Sequence, residues 1–192
     1  MTAVLDRTAP TDHPVVLDGR WSPRAFDPIT PIDEDALSSA LEAARWSPSA
    51  NNVQPWRFIV ARRGSELHRQ LFGTLAGFNT AWAGSAAALI VAVAETADAE
   101  GQPIHFAAYD LGQAVAHFTV QAHHDGLHVH QMGGFDRAAV SEIAGLEARF
   151  VPTTMIAVGL VGDPSSLPGP LAEREVAPRE RRLLSETVLL ND

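Results

Sequence analysis

The first segment that could do chemistry is residues 19–26, which read GRWSPRAF. Arg20 and Arg24 flank Ser22, so two guanidinium groups, a hydroxyl and free backbone N–H groups could converge on one doubly charged phosphate. The same residue types also form solvated basic turns, in which exposed charges contribute little. Taken alone, this Arg-Ser-Arg segment (residues 20–24) favours the basic turn.

A second segment, residues 48–58, is crowded with amide side chains and reads PSANNVQPWRF. Asn52 and Gln54 offer both donors and acceptors, which suits the alternating edge of a pyrimidine-like ring. Trp56 could pack near such a planar system. Amides also cap helices and form turns, and these residues alone do not decide between the two interpretations. We refer to residues 48–56 as the Asn-rich loop.

Paired glycines mark a third segment, residues 130–136, which reads HQMGGFD. Gly133 and Gly134 follow a predicted strand and precede a predicted helix. Without Cβ atoms they would let a flat ligand approach closely, and their backbone N–H groups would point outward from the turn. Two glycines in isolation favour a plain tight turn, which we call the glycine turn.

Composition limits the remaining function classes. The chain has 192 residues, 46% of them apolar, and a formal net charge of −9, which allows one hydrophobic core and disfavours nucleic-acid or anionic-membrane partners. No apolar run approaches the roughly 20 residues that span a bilayer. There is no cysteine, so redox chemistry would need a cofactor. With no secretory signal, we expect a cytoplasmic protein.

Other site types find little support. His128 and His130 would share one face of a strand and could chelate a metal, but no carboxylate or cysteine recurs at supporting spacing, so we predict no metal site. The chain also lacks the motifs of Rossmann, P-loop and hydrolase-elbow domains. Arginines instead gather at both ends of an acidic chain, where they could meet a phosphate. Those near the C-terminus are Arg174, Arg179, Arg181 and Arg182.

Hydrophobic periodicity predicts the elements that must position these segments. Asp33 should cap the helix that leads to the Asn-rich loop. A longer helix over residues 106–125 carries Phe106 and Asp110 on its apolar stripe. A third helix is predicted over residues 137–144, and strands are predicted over residues 58–60, 88–93, 127–130 and 154–161.

The chain is predicted to form one domain over residues 17–192, because its length suits a single core. Residues 1–16 carry charges and prolines and are expected to form a flexible tail. Residues 163–178 are rich in proline, serine and acids, too polar for a core element. We therefore predict an extended C-terminal arm over about residues 163–192.

The three segments occur in the order, spacing and chain context of the FMN-dependent nitroreductase family, which this chain resembles over residues 20–184. The resemblance implies an α+β fold, with a central, mostly antiparallel sheet flanked by helices, in an intertwined homodimer that holds FMN at its interface. The FMN contacts implied by the resemblance are Arg20, Trp21, Ser22, Arg24, Pro48, Ser49, Ala50, Asn52, Gln54, Asn79, Gly133, Gly134, Arg179 and Arg181.

Each segment has a role in that family. The Arg-Ser-Arg motif and the C-terminal basic residues grip the FMN phosphate, the PSxxNxQPW motif reaches the flavin of the other subunit, and the glycine turn donates to flavin N5 and O4. This chain departs from the family pattern at three positions. Gly133 stands in place of a glutamate, Trp82 in place of a lysine found in some members, and Leu183 in place of a proline.

The implied function is transfer of two electrons from NADPH or NADH, through flavin N5, to a nitroaromatic, a quinone or a similar activated acceptor by a ping-pong mechanism. The nicotinamide would dock on the flavin, and no side chain would act as acid or base. Two alternatives stay open: dehalogenation or enal reduction on the same fold, and a low-turnover FMN-binding protein. The short segment 96–105 lacks the substrate lid of dehalogenating members. The motifs do not decide whether His128 or His130 contacts the flavin.

Overall fold

In the computed structural model, which describes residues 15–190, four strands form one sheet. They are β1 (Trp56–Arg62), β2 (Ala88–Glu95), β3 (His128–Met132) and β4 (Phe150–Gly159). The order across the sheet is β1-β2-β4-β3, and all three pairings are antiparallel. Each predicted strand is present with somewhat different ends, and the predicted α+β fold with a mostly antiparallel sheet is confirmed.

Helices cover the sheet. Within the described residues they are α1 (Val15–Gly19), α2 (Glu34–Arg45), α3 (Glu66–Gly73), α4 (Ala107–His124), α5 (Arg137–Ile143), α6 (Gly169–Glu175) and α7 (Leu184–Thr187). The sequence patterns did not predict α3, in which only His68 and Leu71 are buried. None of the helices in residues 15–190 is long and apolar enough to cross a membrane.

Successive side chains of a strand point to opposite sides of the sheet. In β2 both sets of side chains are buried, so both of its faces are covered. Ile90 and Ala92 pack into a core with residues of α2 and α4. Leu89 and Val91 pack into a second core with residues of α3, α5 and α6. The sheet therefore lies between two helical layers, and β3 is left at one edge.

Two helices were predicted from their caps and stripes. The Asp33 carboxylate accepts hydrogen bonds from the backbone N–H groups of Asp35 and Ala36 at 3.0 and 3.1 Å, so it caps α2 as expected. The buried stripe of α4 contains Asp110, also as expected. Phe106, however, is 59% exposed, because it precedes the first residue of α4 and its side chain does not face the core.

The C-terminal segment joins the core, contrary to the expectation that it is too polar to do so. Leu167 and Leu171 are only 8% and 5% exposed and pack in the second core. Because these two leucines lie among prolines and acids, the composition of the segment did not indicate that it reaches the core. The division into a domain over residues 17–192 with an arm over about 163–192 stays a prediction, and the predicted tail, residues 1–16, lies almost wholly outside the described residues.

Candidate cofactor-binding site

The structure brings arginines from both ends of the chain together. The Arg179 guanidinium donates hydrogen bonds to the backbone carbonyls of Asp18 and Arg20. The pKa of Arg20 is lowered, first by burial and then by the positive charges of Arg179 and Arg181. Like charges held this close repel one another, and a bound anion would relieve the repulsion. We call Arg20, Arg179 and Arg181 the arginine cluster.

Arg24, at the other end of the Arg-Ser-Arg segment, meets an acid rather than the arginine cluster. Its backbone N–H lies 2.8 and 3.0 Å from the two carboxylate oxygens of Glu175, and the Ala25 N–H lies 3.1 Å from one of them. The Arg24 guanidinium is 3.9 Å from the same carboxylate. The last residue of α6 therefore binds the backbone of the segment.

The backbone that directly follows β4 fixes the position of the segment beyond Arg24. Backbone hydrogen bonds join Gly162 N–H to the Ala25 carbonyl at 2.8 Å and Asp27 N–H to the Leu160 carbonyl at 2.9 Å. A Cβ atom at Gly162 would lie 2.5 Å from the Phe26 carbonyl oxygen. Only glycine permits this close approach of the two backbones.

Edge strand β3 runs beside the Arg-Ser-Arg segment. The His128 ring packs edge-on against Trp21 with centroids 4.6 Å apart. Nδ1 of His130 lies 2.8 Å from the Pro23 carbonyl oxygen; since a carbonyl only accepts, Nδ1 donates. Burial lowers the pKa of both histidines, and nearby His123 lowers that of His128 further. These effects favour the neutral form of both rings.

The glycine turn ends β3. Gly133 and Gly134 are exposed, and the Gly134 carbonyl accepts from the Asn79 amide at 3.2 Å and from the Ala76 N–H at 3.0 Å. A Cβ atom at Gly134 would lie 3.1 Å from Asn79 Nδ2, whereas one at Gly133 would meet no atom within 4 Å. One N–H of the Asn79 amide is thus donated to the turn, and this bond orients the side chain.

The Asn-rich loop adopts an unusual backbone conformation. Asn51, Asn52 and Gln54 have φ angles of 52°, 56° and 55°, in the left-handed region that is costly for residues other than glycine. Ser49 Oγ accepts from the Gln54 N–H at 2.9 Å. Such local strain persists only where surrounding contacts enforce it, and it is frequent at ligand sites.

A buried acid supports this loop from α4. Asp110 is 2% exposed, and its carboxylate accepts from the Ala50 N–H at 3.0 Å. The Gln113 amide lies 3.4 Å from the other carboxylate oxygen. The sequence showed Asp110 only as an acid within an apolar stripe, a signal that could have marked it as a support. Glu175 gave no such signal.

The candidate residues do not all meet within one chain. The Asn-rich loop is attached to α4 at Asp110, in the first turn of the helix. Arg20 lies near His123, in the last turn, since a Cβ atom at the preceding Gly19 would lie 3.0 Å from His123 Nε2, and Arg179 donates to the Arg20 carbonyl. His123 lies thirteen positions after Asp110 along α4, which is about 20 Å at 1.5 Å per residue. The arginine cluster and the glycine turn lie along β3, whereas the loop lies apart from them.

The Trp82 side chain packs against β3, next to the candidate site. It is 4% exposed, and its ring centroid lies 4.5 Å from that of His130 and 6.2 Å from that of Phe26. An aromatic side chain packed in this way presents no charge to a ligand. Within residues 15–190, no group of three or more histidines and acids is arranged to hold a metal ion.

Strand β3 thus runs beside the Arg-Ser-Arg segment and ends at the glycine turn, an arrangement of positive charge and open backbone that suits an anionic, planar ligand. The model of the nitroreductase family matches residues 17–81 and 72–160. The chain therefore belongs to the nitroreductase family, which confirms the resemblance seen in the motifs.

Individual relatives agree with this assignment. An uncharacterised 15.4 kDa protein from the ask 5′ region of Mycolicibacterium smegmatis is 35% identical over 137 residues, which cover 68% of this chain and 92% of that protein. YdgI of Bacillus subtilis, whose name proposes an NAD(P)H nitroreductase, is 27% identical over 191 residues. That match covers 79% of this chain and 90% of YdgI. A crystal structure described as an oxidoreductase containing FMN is 34% identical, with a TM-score of 0.88 over 96% of this chain and 94% of that one.

Proposed function

We propose that the protein is an FMN-dependent oxidoreductase that passes two electrons from NADPH or NADH to a nitroaromatic, a quinone or a similar activated acceptor. The observation that carries the proposal is the arginine cluster, which joins both ends of the chain beside the edge strand that ends in the glycine turn. The 34% identical relative described as containing FMN supports the choice of cofactor.

The residues present fit the phosphate end of FMN. Arg20, Arg179 and Arg181 supply positive charge at one place, since the charges of Arg179 and Arg181 act on Arg20 and Arg179 donates to the Arg20 carbonyl. The exposed Ser22 adds a hydroxyl, and phosphate oxygens accept charge-assisted hydrogen bonds from such groups. The Arg24 guanidinium would complete the set, because its 3.9 Å contact with Glu175 leaves other N–H groups of the fork available.

The other end of the site fits the flavin ring. The exposed backbone of Gly133 and Gly134 can donate to ring acceptors without steric hindrance from a side chain. The oxygen of Asn79 can accept from a ring N–H, because hydrogen bonding to Gly134 fixes its amide. Trp21, held by His128, would lie between the two ends and exclude water from the ribityl chain.

We further propose that the Asn-rich loop acts in the site of a second subunit, so that the functional unit is a homodimer. The separation of about 20 Å along α4 leaves Asn52 and Gln54 away from the arginine cluster of their own chain. In a two-fold dimer a loop of this kind can complete the partner's site. Asp110 would then hold the loop for use across the interface.

Bound FMN would supply the two-electron chemistry, accepting a hydride from the nicotinamide and then reducing the acceptor. The protein's own residues bind the phosphate, orient the ring and leave one face open to the two substrates in turn. Because Trp82 is uncharged where some relatives carry a lysine, we expect weaker stabilisation of negative charge on the reduced ring. The flavin potential should accordingly be lower than in those relatives.

The central test is reduction of the bound flavin. The FMN-loaded protein should bleach on addition of NADH or NADPH under anaerobic conditions, and a nitroaromatic or quinone should restore the colour. A panel that adds an enal and a halogenated aromatic separates the alternative chemistries. If neither nicotinamide bleaches the flavin, the protein binds FMN without this turnover and the proposed function is wrong.

A charge reversal tests the phosphate assignment. Arg24→Glu places a negative charge against the phosphate and should release FMN, measured as flavin absorbance per purified chain. Arg69→Glu is the matched control, since Arg69 is exposed on α3 and its guanidinium pairs with Glu66 on the same helix. Retention of a full complement of flavin by Arg24→Glu would contradict the assignment.

Sedimentation and subunit mixing test the shared site. Arg24→Glu damages the phosphate end and Gln54→Ala damages the loop, so each homodimer should lose FMN. A mixed dimer carries both defects in one site and leaves the other site intact, and should regain about half of the flavin of the unmodified protein. A stable monomer that holds FMN, or a mixture that regains none, would overturn the dimer proposal.

A further inference from the structure

Glu175 is a buried acid inside an anion-binding region. Its side chain is 4% exposed, and burial of a carboxylate is costly unless hydrogen bonds compensate. Here both oxygens accept from the backbone N–H of Arg24, and one also accepts from the Ala25 N–H. The charge is therefore satisfied mainly by backbone donors rather than by the arginine side chain, which is 3.9 Å away.

These bonds connect two parts of the candidate phosphate site that are distant in sequence. Glu175 and Arg24 are 151 residues apart. α6 is anchored in the second core by Leu171, and Arg179 and Arg181 follow Glu175 after four and six residues. The Glu175 contact thus fixes the C-terminal arm, which carries Arg179 and Arg181, against the segment that carries Arg20.

The same short stretch of backbone is held from its other side by β3. His130 donates through Nδ1 to the Pro23 carbonyl at 2.8 Å, while Glu175 accepts from the next two N–H groups. Residues 23–25 are therefore fixed by a donor on one side and an acceptor on the other. A phosphate site requires this kind of rigidity, because arginine side chains lose much conformational freedom when they are ordered.

We propose that Glu175 is a positioning residue that sets the preference of this protein for a phosphorylated flavin. By fixing residues 24 and 25 and the start of the C-terminal arm, it holds Arg24 and the arginine cluster in place to bind a phosphate. Within residues 15–190, its hydrogen bonds and ion pair are with Arg24 and Ala25, away from the glycine turn at the ring end of the site. The inference rests on the proposed FMN site, and it predicts that FMN is favoured over riboflavin through Glu175.

Electrostatic repulsion between Glu175 and the FMN phosphate would change FMN affinity in the opposite direction. The Glu175 charge lies near the site of a phosphate dianion and should repel it, so its removal could strengthen FMN binding. Positioning should outweigh repulsion because the carboxylate charge is already balanced by three short contacts with N–H groups and by the Arg24 guanidinium. Without these acceptors, the N–H groups of residues 24 and 25 lose their partners and the segment can move away.

The test compares two ligands on three variants. Apoprotein would be titrated with FMN and with riboflavin, following the quenching of flavin fluorescence, for Glu175→Ala, Glu175→Gln and the control Glu173→Ala. Glu173 is exposed on the same helix. We expect Glu175→Ala to weaken FMN binding by roughly tenfold or more and to change riboflavin affinity much less. Glu175→Gln, which keeps one acceptor oxygen, should lie between, and Glu173→Ala should match the unmodified protein.

Each other result has a definite meaning. An equal loss of FMN and riboflavin affinity by Glu175→Ala would indicate general damage to the site and overturn the positioning role. Tighter FMN binding by Glu175→Gln would show that charge repulsion dominates, which also overturns it. If the unmodified protein binds neither flavin, the proposed function fails instead. A thermal unfolding midpoint for each apoprotein separates loss of fold from loss of the phosphate preference.

Discussion

Asp110 connects the interior of α4 to the backbone of the Asn-rich loop. Its carboxylate is 2% exposed and accepts the Ala50 N–H at 3.0 Å. Asp110→Ala removes this acceptor and leaves the Ala50 donor without its partner. A hydrogen bond to a charged group contributes about 1.5–3 kcal/mol, so we expect the free energy of unfolding to fall by about 2 kcal/mol.

The same substitution should also weaken the binding of FMN. Asn51, Asn52 and Gln54 hold left-handed φ angles, which cost roughly 1–2 kcal/mol each for ordinary residues and less for asparagine. Once the Ala50 anchor is lost, these residues can relax to ordinary conformations. FMN affinity should then fall severalfold even though Asp110 itself lies beneath the loop.

The assay is urea denaturation of the apoprotein at one fixed protein concentration, since subunit association would otherwise change the apparent stability. Asp110→Asn keeps the volume and one acceptor oxygen and should lose less stability than Asp110→Ala. Asp125→Ala, at the exposed far end of α4, is the control and should stay within about 0.5 kcal/mol. A change of that small size for Asp110→Ala would refute the reasoning.

Three further predictions concern the edge strand and the glycines. Burial lowers the pKa of His130 below the ordinary 6.5, so below that pH the unfolded chain binds more protons than the folded one. The free energy of unfolding should therefore decrease as pH falls from about 7 to about 5. His130→Asn should reduce this dependence on pH, measured by urea titrations. Gly162→Ala forces a Cβ to within 2.5 Å of the Phe26 carbonyl and should destabilise by about 1–3 kcal/mol; a thermal unfolding midpoint equal to that of the unmodified protein would contradict the close approach. Gly134→Ala, whose Cβ would lie 3.1 Å from Asn79 Nδ2, should lower the apoprotein midpoint, whereas Gly133→Ala should not, and both should weaken FMN binding in a flavin titration.

Local patterns sufficed to predict most of the secondary structure. Asp33 was expected to cap α2 and does so, because a cap depends on residues within one turn. The apolar run of β2 predicted a buried strand, and β2 is buried on both faces. The arm was misjudged because Leu167 and Leu171 are too few to raise the apolar content of a proline-rich segment, although each finds a place in the core.

The site was predicted only as far as its motifs extend. The Arg-Ser-Arg segment, the Asn-rich loop and the glycine turn could each be recognised because their residues are close in sequence. Glu175 could not, since its partner lies 151 residues away. Asp110 stands out as an acid within an apolar stripe, but nothing local indicates its partner, which is 60 residues away. The roles assigned to the motif residues stay predictions until flavin binding is measured.

The sequence by itself determined the four strands, the helices α2, α4 and α5, the buried run of β2 and the three segments that identify the family, because short-range spacing and side-chain chemistry encode these features. Only the tertiary structure decided that Arg179 and Arg181 join Arg20, that Glu175 fixes the Arg24 backbone, and that the Asn-rich loop lies at the opposite end of α4. Long-range contacts depend on how the layers pack, and no local pattern specifies which distant carboxylate will meet a given N–H group.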